Sequence, residues 1–90
     1  MSAPLKPLER TALLTTYGAT GKSLQRTRGG FVSARKPAQI FTRRVMNWLY
    51  RRALIDFDDP LHPKVAMLTR MGLAQAEALI NQAREQAGAP

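Results

Sequence analysis

The chain has 90 residues, no cysteine and a net charge of +8, because 14 lysines and arginines face 6 acidic residues. This length fits one small domain with a thin core. The absence of cysteine excludes disulfides, thiolate catalysis and cysteine-bound metals. No apolar run reaches the length of a membrane span, and the N-terminus lacks the pattern of a secretory signal. These features predict a cytoplasmic protein with no membrane partner.

The basic residues are separated from the acidic ones along the chain. Ten lysines and arginines lie between Arg10 and Ile55, and this segment contains no acid. Solubility alone favours interspersed charges, so a segregated field indicates a polyanionic partner. An anionic membrane surface fits less well, because the basic segment has too few apolar residues on a lipid-facing stripe. We therefore expect a nucleic acid or an acidic protein as the partner.

A short arm and a helix are expected first. Residues 1–7 contain two prolines and no periodicity, which predicts a flexible arm, and residues 8–90 then form the domain. The helix is predicted from about Leu8, with Leu8 and Ala12 on its apolar face. Glycine turn chemistry after Tyr17 ends it.

Residues 22–36 leave two interpretations open. Gly29 and Gly30 indicate a tight turn with a short strand on one or both sides, formed by residues 24–27 before it and by Phe31 and Val32 after it. A helix is the other interpretation, but two adjacent glycines oppose one. Short strands are the preferred interpretation.

A central helix is predicted over residues 37–53. Proline is favoured at the first helical position because its missing N–H would be unpaired there, which suits Pro37. On a helical wheel, one face of this segment is apolar and the opposite face is largely polar and basic. The core-facing positions are Ala38, Phe41, Val45, Trp48 and Leu49. The outward positions are Gln39, Arg43, Met46, Asn47 and Tyr50, with Ile40, Arg44 and Arg51 along one edge.

A β-hairpin and a last helix are predicted after the central helix. Residues 54–58 alternate between apolar and acidic residues, as in a half-buried strand. A proline-bounded turn leads to a second strand over residues 64–68, and Thr69 can cap a helix over residues 70–87. The narrow apolar stripe of that helix suits packing on the core or on a second copy, so a homodimer is considered. The stripe consists of Leu73, Ala76, Ile80, Ala83 and Ala87, with Leu79 beside it.

Residues suited to catalysis are scarce. His62 is the only histidine, and it lies in a turn between two prolines. Asp58 and Asp59 lie on a turn without a set of histidine ligands, so a metal site is not expected. The glycines of GATGKS are closer together than those of a phosphate-binding P-loop. We expect neither enzymatic activity nor a cofactor.

Duplex DNA is the polyanion that the central helix fits best. An α-helix can enter the major groove, where arginine pairs with guanine and asparagine or glutamine pairs with adenine. Gln39, Arg43 and Asn47 recur every four residues, which would align them on one helical face as base contacts. Other basic residues are expected to touch phosphates, which position a protein without reading sequence. They are Arg26, Arg28, Arg35, Lys36, Arg44, Arg51 and Lys64.

After an aliphatic-rich helix the chain has an arginine, a small residue and Leu-Ile, then a hairpin with aspartate, and then Leu-Thr-x-x-Gly before the next helix. The residues of this pattern are Leu49, Arg52, Ala53, Leu54, Ile55, Asp58, Asp59, Leu68, Thr69 and Gly72. By this pattern, residues 37–73 resemble the winged-helix domains of MarR-like bacterial regulators, in which the first helix is the recognition helix and the hairpin is the wing. Ala53 stands where glycine is commoner, and the N-terminal part does not match. The resemblance implies a small α+β winged-helix domain with a β-hairpin wing and a C-terminal helix, and it suggests DNA binding.

The favoured interpretation is a small DNA-binding protein of bacterial, phage or plasmid origin, associated with the nucleoid. It would act as a transcription regulator or an accessory DNA binder. The alternative is a winged-helix interaction module that binds an acidic protein partner, because fold does not fix function. RNA fits less well, since few aromatic residues lie among the basic ones. A steep salt dependence of duplex binding would separate the first interpretation from the second.

Overall fold

Three helices and a five-stranded antiparallel sheet make up the domain in the computed structural model, which describes residues 5–88. The predicted α+β class is confirmed. The helices are α1 (Pro7–Gly18), α2 (Arg43–Arg51) and α3 (Arg70–Gly88). The strands are β1 (Ser23–Thr27), β2 (Gly30–Ser33), β3 (Lys36–Phe41), β4 (Ile55–Phe57) and β5 (Val65–Leu68).

The strand order β3-β2-β1-β5-β4 sorts the connecting loops to two ends of the sheet. β1 pairs antiparallel with both β2 and β5. Residues 28–29, which join β1 to β2, and residues 58–64, which join β4 to β5, therefore lie at the same end. We call this the loop end. Residues 34–35, which join β2 to β3, lie at the opposite end.

The helices cover one face of the sheet, and the core lies between them. Phe57 of β4 stacks on Phe31 of β2 and on Tyr50 of α2, with ring centroids 5.8 and 4.8 Å apart. Each fully buried side chain of this size stabilises the fold by about 1.5–3 kcal/mol. The fully buried side chains include Leu13, Leu24, Phe31, Phe41, Met46, Leu49 and Ile55. Because they come from both helices and strands, this cluster fixes α1 and α2 against the sheet.

The strand interpretation of residues 22–36 is confirmed, and the hairpin requires glycine at one position. Gly30 has a φ of 148°, a conformation that side chains with a Cβ rarely adopt. A Cβ there would lie 2.2 Å from the carbonyl oxygen of Phe41. Glycine therefore lets β2 pair closely with β3.

The predicted central helix over residues 37–53 is wrong in its first third. Lys36–Phe41 forms the edge strand β3, and the helix begins at Arg43 after Thr42, whose hydroxyl accepts a hydrogen bond from the Val45 N–H at 3.5 Å. Pro37 suited a helix start, but an edge strand also tolerates proline. Pairing with β2, with Phe41 opposite Phe31, decided between the two conformations.

The shorter helix also changes which side chains are buried. Ala38 and Phe41 belong to strand β3. Including them in the helical wheel gave the wrong core-facing side for the residues of α2. In α2, Met46 is buried and Trp48 is 37% exposed, the reverse of the prediction. Tyr50, predicted to face outward, is partly buried against the core. The predicted burial of Phe41 and Leu49 is confirmed.

The start of α1 lies within the folded domain. Leu5 is buried, and the N–H of Lys6 donates a hydrogen bond to the buried Glu9 carboxylate at 3.0 Å. This bond pairs the backbone N–H at the helix start. Leu8, predicted on the core face, is 52% exposed. Residues 1–4 of the predicted arm lie outside the part of the chain that the structure describes.

The end of α2 forms a Schellman motif, in which one residue has a left-handed backbone. The N–H of Ala53 donates to the carbonyl of Tyr50, and the N–H of Leu54 donates to that of Leu49, both at 3.0 Å. Ala53 has a φ of 62°. Glycine is the usual residue there, because an L side chain strains this conformation. The MarR-like pattern, in which glycine is commoner at Ala53, therefore matches a backbone requirement.

Replacing Ala53 with glycine is expected to stabilise the protein. Relief of left-handed strain is worth about 1–2 kcal/mol and exceeds the entropy that glycine adds to the unfolded chain, about 0.5–1 kcal/mol. We expect urea denaturation to show a free energy of unfolding higher by roughly 0.5–1 kcal/mol. Ala78→Gly, at an exposed position inside α3, is the control and should cost about 1 kcal/mol. A destabilised Ala53→Gly variant would contradict the strain argument.

Candidate nucleic-acid interface

The outward face of α2 is basic and carries no carboxylate. Met46 and Leu49 turn toward the core, so the residues on the other side of the helix face solvent. On a wheel with 100° between residues they span about 140°. These residues are Arg43, Arg44, Asn47, Trp48 and Arg51. Three guanidinium groups, one amide and one indole are thus presented together on a rigid helix.

A groove of about 700 Å³ lies between this face of α2 and the first turn of α1. Its walls combine cationic and apolar side chains, and Glu9 is the one acid among them. The carboxylate of Glu9 accepts the N–H of Lys6, which is a structural use of that charge. The lining residues are Lys6, Leu8, Glu9, Arg43, Arg44, Val45, Asn47, Trp48 and Arg51. The groove therefore favours an anionic partner with some apolar surface.

Two arginines attach the loop of residues 58–64 to the rest of the domain. Arg43, at the start of α2, donates from Nη2 to the carbonyl of Pro60 at 3.3 Å. Arg26, on β1, donates from Nη1 to the carbonyl of Pro63 at 3.4 Å. The β4–β5 loop is thus held beside the N-terminus of α2.

Asp58 and Asp59 build the loop from within. The Asp58 Oδ1 accepts the N–H of Lys64 at 2.9 Å and that of Val65 at 3.0 Å. The Asp59 Oδ1 accepts the N–H of Leu61 at 3.0 Å. The hydrogen bonds from the Val65 and Lys64 N–H groups hold the pKa of Asp58 below its ordinary value of 3.8. Both carboxylates therefore hold the backbone of the loop in its turn conformation.

We expect the hydrogen bonds of Asp58 in the β4–β5 loop to stabilise the fold less at low pH. Because the folded-state pKa of Asp58 is depressed, its stabilising effect is present above 3.8 and is lost as the pH falls through the lower folded-state value. Thermal melts of wild type and Asp58→Asn between about pH 7 and pH 2 will test this. The wild type should melt higher at neutral pH, and the difference should shrink in acid. A difference that is constant across the range would exclude the ionisation as its cause.

The structure brings together only part of the predicted contact set. Arg43 and Asn47 lie one turn apart on α2, but Gln39 lies on β3, so the predicted single helical face of these three residues is wrong. The predicted phosphate-contacting residues outside α2 form two sets, which lie at opposite ends of the sheet. Arg26, Arg28 and Lys64 lie at or near the loop end, whereas Arg35 and Lys36 lie at the other end. Arg44 and Arg51 are exposed on α2.

Sequence reasoning missed Lys6, Leu8 and Trp48 as parts of this surface. The capping position before Pro7 could have placed Lys6 at the start of α1. A wheel restricted to residues 43–51 would have turned Trp48 outward. The ring of Trp48 lies 4.8 Å from the guanidinium carbon of Arg52, which holds the indole at the end of α2.

Several residues that carry the MarR-like resemblance have structural roles. Thr69, predicted as a helix cap, is confirmed as one, because its hydroxyl oxygen accepts the N–H of Gly72 at 3.0 Å. The same hydroxyl donates to the carbonyl of Ala53. These bonds join the end of α2 to the start of α3. The resemblance thus concerns how a helix, a hairpin and a second helix are connected.

No protein-family model, curated protein or solved structure matches this chain. Within residues 5–88, no helix is both long and apolar enough to cross a bilayer. The same residues contain no cluster of three or more histidine, cysteine or acidic side chains that could hold a metal ion. The charge and shape of the α2 surface are therefore the basis for assigning a function.

Proposed function

We propose that the protein binds double-stranded DNA by inserting the outward face of α2 into the major groove. The observation that carries this proposal is the set of three arginines and one asparagine on that face, on a helix without a carboxylate. The major groove is about 12 Å wide and admits an α-helix. In this proposal the domain is a winged helix, with residues 58–64 as the wing, and it acts as a small transcription regulator or accessory DNA binder on the nucleoid.

The residues of α2 divide into two roles. Arg43, at the N-terminus of α2, and Asn47, one turn later, are suited to base edges, because arginine pairs with guanine and asparagine with adenine through two hydrogen bonds each. Arg44 and Arg51 lie together on one side of this pair, at about 100° and 80° from Arg43 on the helical wheel, and are suited to phosphates. Arg26, Arg28 and Lys64 at the loop end would extend the phosphate contacts beside the helix.

A hairpin replaces one element of the usual helix-turn-helix. Where a second helix would support the reading helix, this chain has β2 and β3, and β3 leads through Thr42 directly into α2. Burial of Met46 and Leu49 holds α2 on the core, so the helix is rigidly presented without that partner. A rigid support is what a groove-binding helix needs, because disorder would have to be lost on binding.

The single tryptophan provides a direct test, because Trp48 lies on the proposed surface. We expect titration with random duplex DNA to change the Trp48 fluorescence. The affinity should fall by roughly a hundredfold between about 50 and 200 mM salt, as expected for several phosphate contacts. A fluorescence change with a weak salt dependence would contradict groove binding through arginines. Absence of any duplex binding at low salt would refute the proposal.

Replacing Arg43 tests base reading. We expect Arg43→Ala to weaken binding to a preferred duplex by about 1–3 kcal/mol and to affect random DNA less. Arg43→Lys keeps the charge but cannot pair with guanine through a planar fork. Its affinity for the preferred duplex should therefore fall, whereas its affinity for random DNA should equal that of the wild type. Equal losses on both duplexes for Arg43→Ala would mean that this side chain reads no base and acts through phosphate or through its hydrogen bond to Pro60. Both sets of affinities can be measured by fluorescence anisotropy.

An acidic protein is a second candidate partner because of the apolar part of the groove. Leu8, Val45 and Trp48 lie among the cations there, and a DNA groove would use little of that surface. An acidic helix with one apolar anchor would fill it. Binding of such a partner would depend less on salt than duplex binding does, since apolar burial is not screened. A steep salt dependence in the duplex titration above would therefore favour DNA over an acidic protein.

A further inference from the structure

The last helix projects beyond the core that its first half packs against. Gly72 and Ala76 are buried, and Leu79 packs against the core cluster. By contrast, residues 81–85 are all exposed. At 1.5 Å per residue, the 19 residues of α3 span about 28 Å, so a substantial length of helix has solvent around it.

One line of side chains along α3 alternates apolar and charged residues. Leu73, Glu77, Ile80 and Arg84 follow one another at intervals of four, three and four residues. On a helix this spacing places them within about 60° of each other. Leu73 and Ile80 are half-buried, whereas Glu77 and Arg84 are exposed. The line lies beside the face that packs on the core, so it remains accessible.

We propose that this line binds a second copy of the chain, with the two α3 helices antiparallel. The midpoint between Glu77 and Arg84 falls between Ile80 and Asn81. A twofold axis there sets Glu77 of each copy against Arg84 of the other, and it brings the two Ile80 side chains together at the axis. A parallel, in-register pair would instead oppose like charges, which is unfavourable. Charge complementarity therefore selects both the occupant and its direction.

This pairing does not depend on DNA binding. The ion pairs and apolar contacts use α3 alone, and the groove beside α2 is formed by other residues. If the proposed DNA binding also holds, a twofold dimer presents two α2 helices related by the same axis. Such a dimer would prefer inverted repeats over single half-sites.

Charge reversals measured by sedimentation equilibrium test the proposal. We expect the wild type to dimerise and Glu77→Arg to raise the dissociation constant of the dimer by roughly tenfold or more. The substitution sets an arginine against Arg84, and the twofold axis repeats this repulsion at a second place in the dimer. Arg84→Glu should do the same. The double variant restores both pairs with their signs exchanged, so its dissociation constant should return to within about threefold of the wild-type value.

Glu85→Arg is the matched control, since it makes the same substitution on α3 about 110° away from the line. It should leave the dissociation constant unchanged. Circular dichroism will verify that each variant keeps its helix content. A wild type that remains monomeric at about 1 mM, a weak-binding limit, would overturn the proposal. Equal effects of Glu77→Arg and Glu85→Arg, or no rescue in the double variant, would also overturn it. None of these outcomes bears on duplex binding by the monomer.

Discussion

Reversing two charges on α2 is expected to abolish most of the proposed DNA binding. The double variant Arg44→Glu with Arg51→Glu should bind random duplex at least about a hundredfold more weakly at 0.1 M salt, because the two proposed phosphate contacts become two repulsions. The slope of log affinity against log salt should become shallower by roughly two. Both residues are exposed and lie away from the core cluster, so the fold should be unaffected.

The matched control changes the same net charge elsewhere on the surface. Arg35→Glu with Lys36→Glu also lowers the net charge by four, but these residues lie at the end of the sheet opposite the loop end. If α2 is the contact surface, this control should lose less than about tenfold, through the general field alone. Equal losses in the two double variants would mean that only net charge matters. A larger loss of affinity in the control would indicate that DNA contacts the β2–β3 turn and not α2.

Adding one methyl group at Gly72 is expected to destabilise the fold severely. A Cβ at Gly72 would lie 1.9 Å from the carbonyl oxygen of Leu54 and 2.9 Å from its carbonyl carbon. Backbone atoms cannot rotate away as a side chain can, so α3 must shift from the end of α2. We expect Gly72→Ala to lose roughly 2–4 kcal/mol in the free energy of unfolding. That is a large fraction of the stability of a domain of this size.

Gly18→Ala is the control for this prediction. Gly18 ends α1, and a Cβ there would meet nothing within 4 Å. The substitution should leave stability unchanged or raise it by up to about 1 kcal/mol, since alanine reduces the freedom of the unfolded chain. Urea denaturation of both variants will give the two free energies. A Gly72→Ala variant as stable as wild type would mean that α3 does not approach Leu54 this closely.

The second half of the chain was largely predictable because its signals are local and agree with one another. Ile55 and Phe57 alternate with acids, prolines bound the turn, and Thr69 precedes a long helical pattern. Each of these features corresponds to the observed strand, loop and cap. Hydrophobic periodicity, turn chemistry and capping all act within a few residues. In this part of the chain they favour the same conformation as the tertiary contacts do.

The segment before α2 was not predictable in the same way. Pro37 and the apolar spacing of Ala38 and Phe41 also fit a helix, so the local pattern allowed two conformations. Pairing of β3 with β2 decided between them, and it depends on the close approach that Gly30 permits. The error carried into the candidate site, since it placed Gln39 on the helix and Trp48 in the core. A contact between strands, absent from any local window, determined the composition of the interface.

The sequence by itself determined the excess of positive charge, the scarcity of catalytic groups, the β4–β5 hairpin and the basic character of α2. Composition and short-range periodicity are properties of the chain alone, so folding cannot alter them. Only the tertiary structure decided which cationic side chains lie near one another. Strand order separates Arg35 and Lys36 from Arg26, Arg28 and Lys64, and the packing of Met46 and Leu49 turns the remaining face of α2 outward. Residues far apart in the chain meet only when the sheet and core have formed.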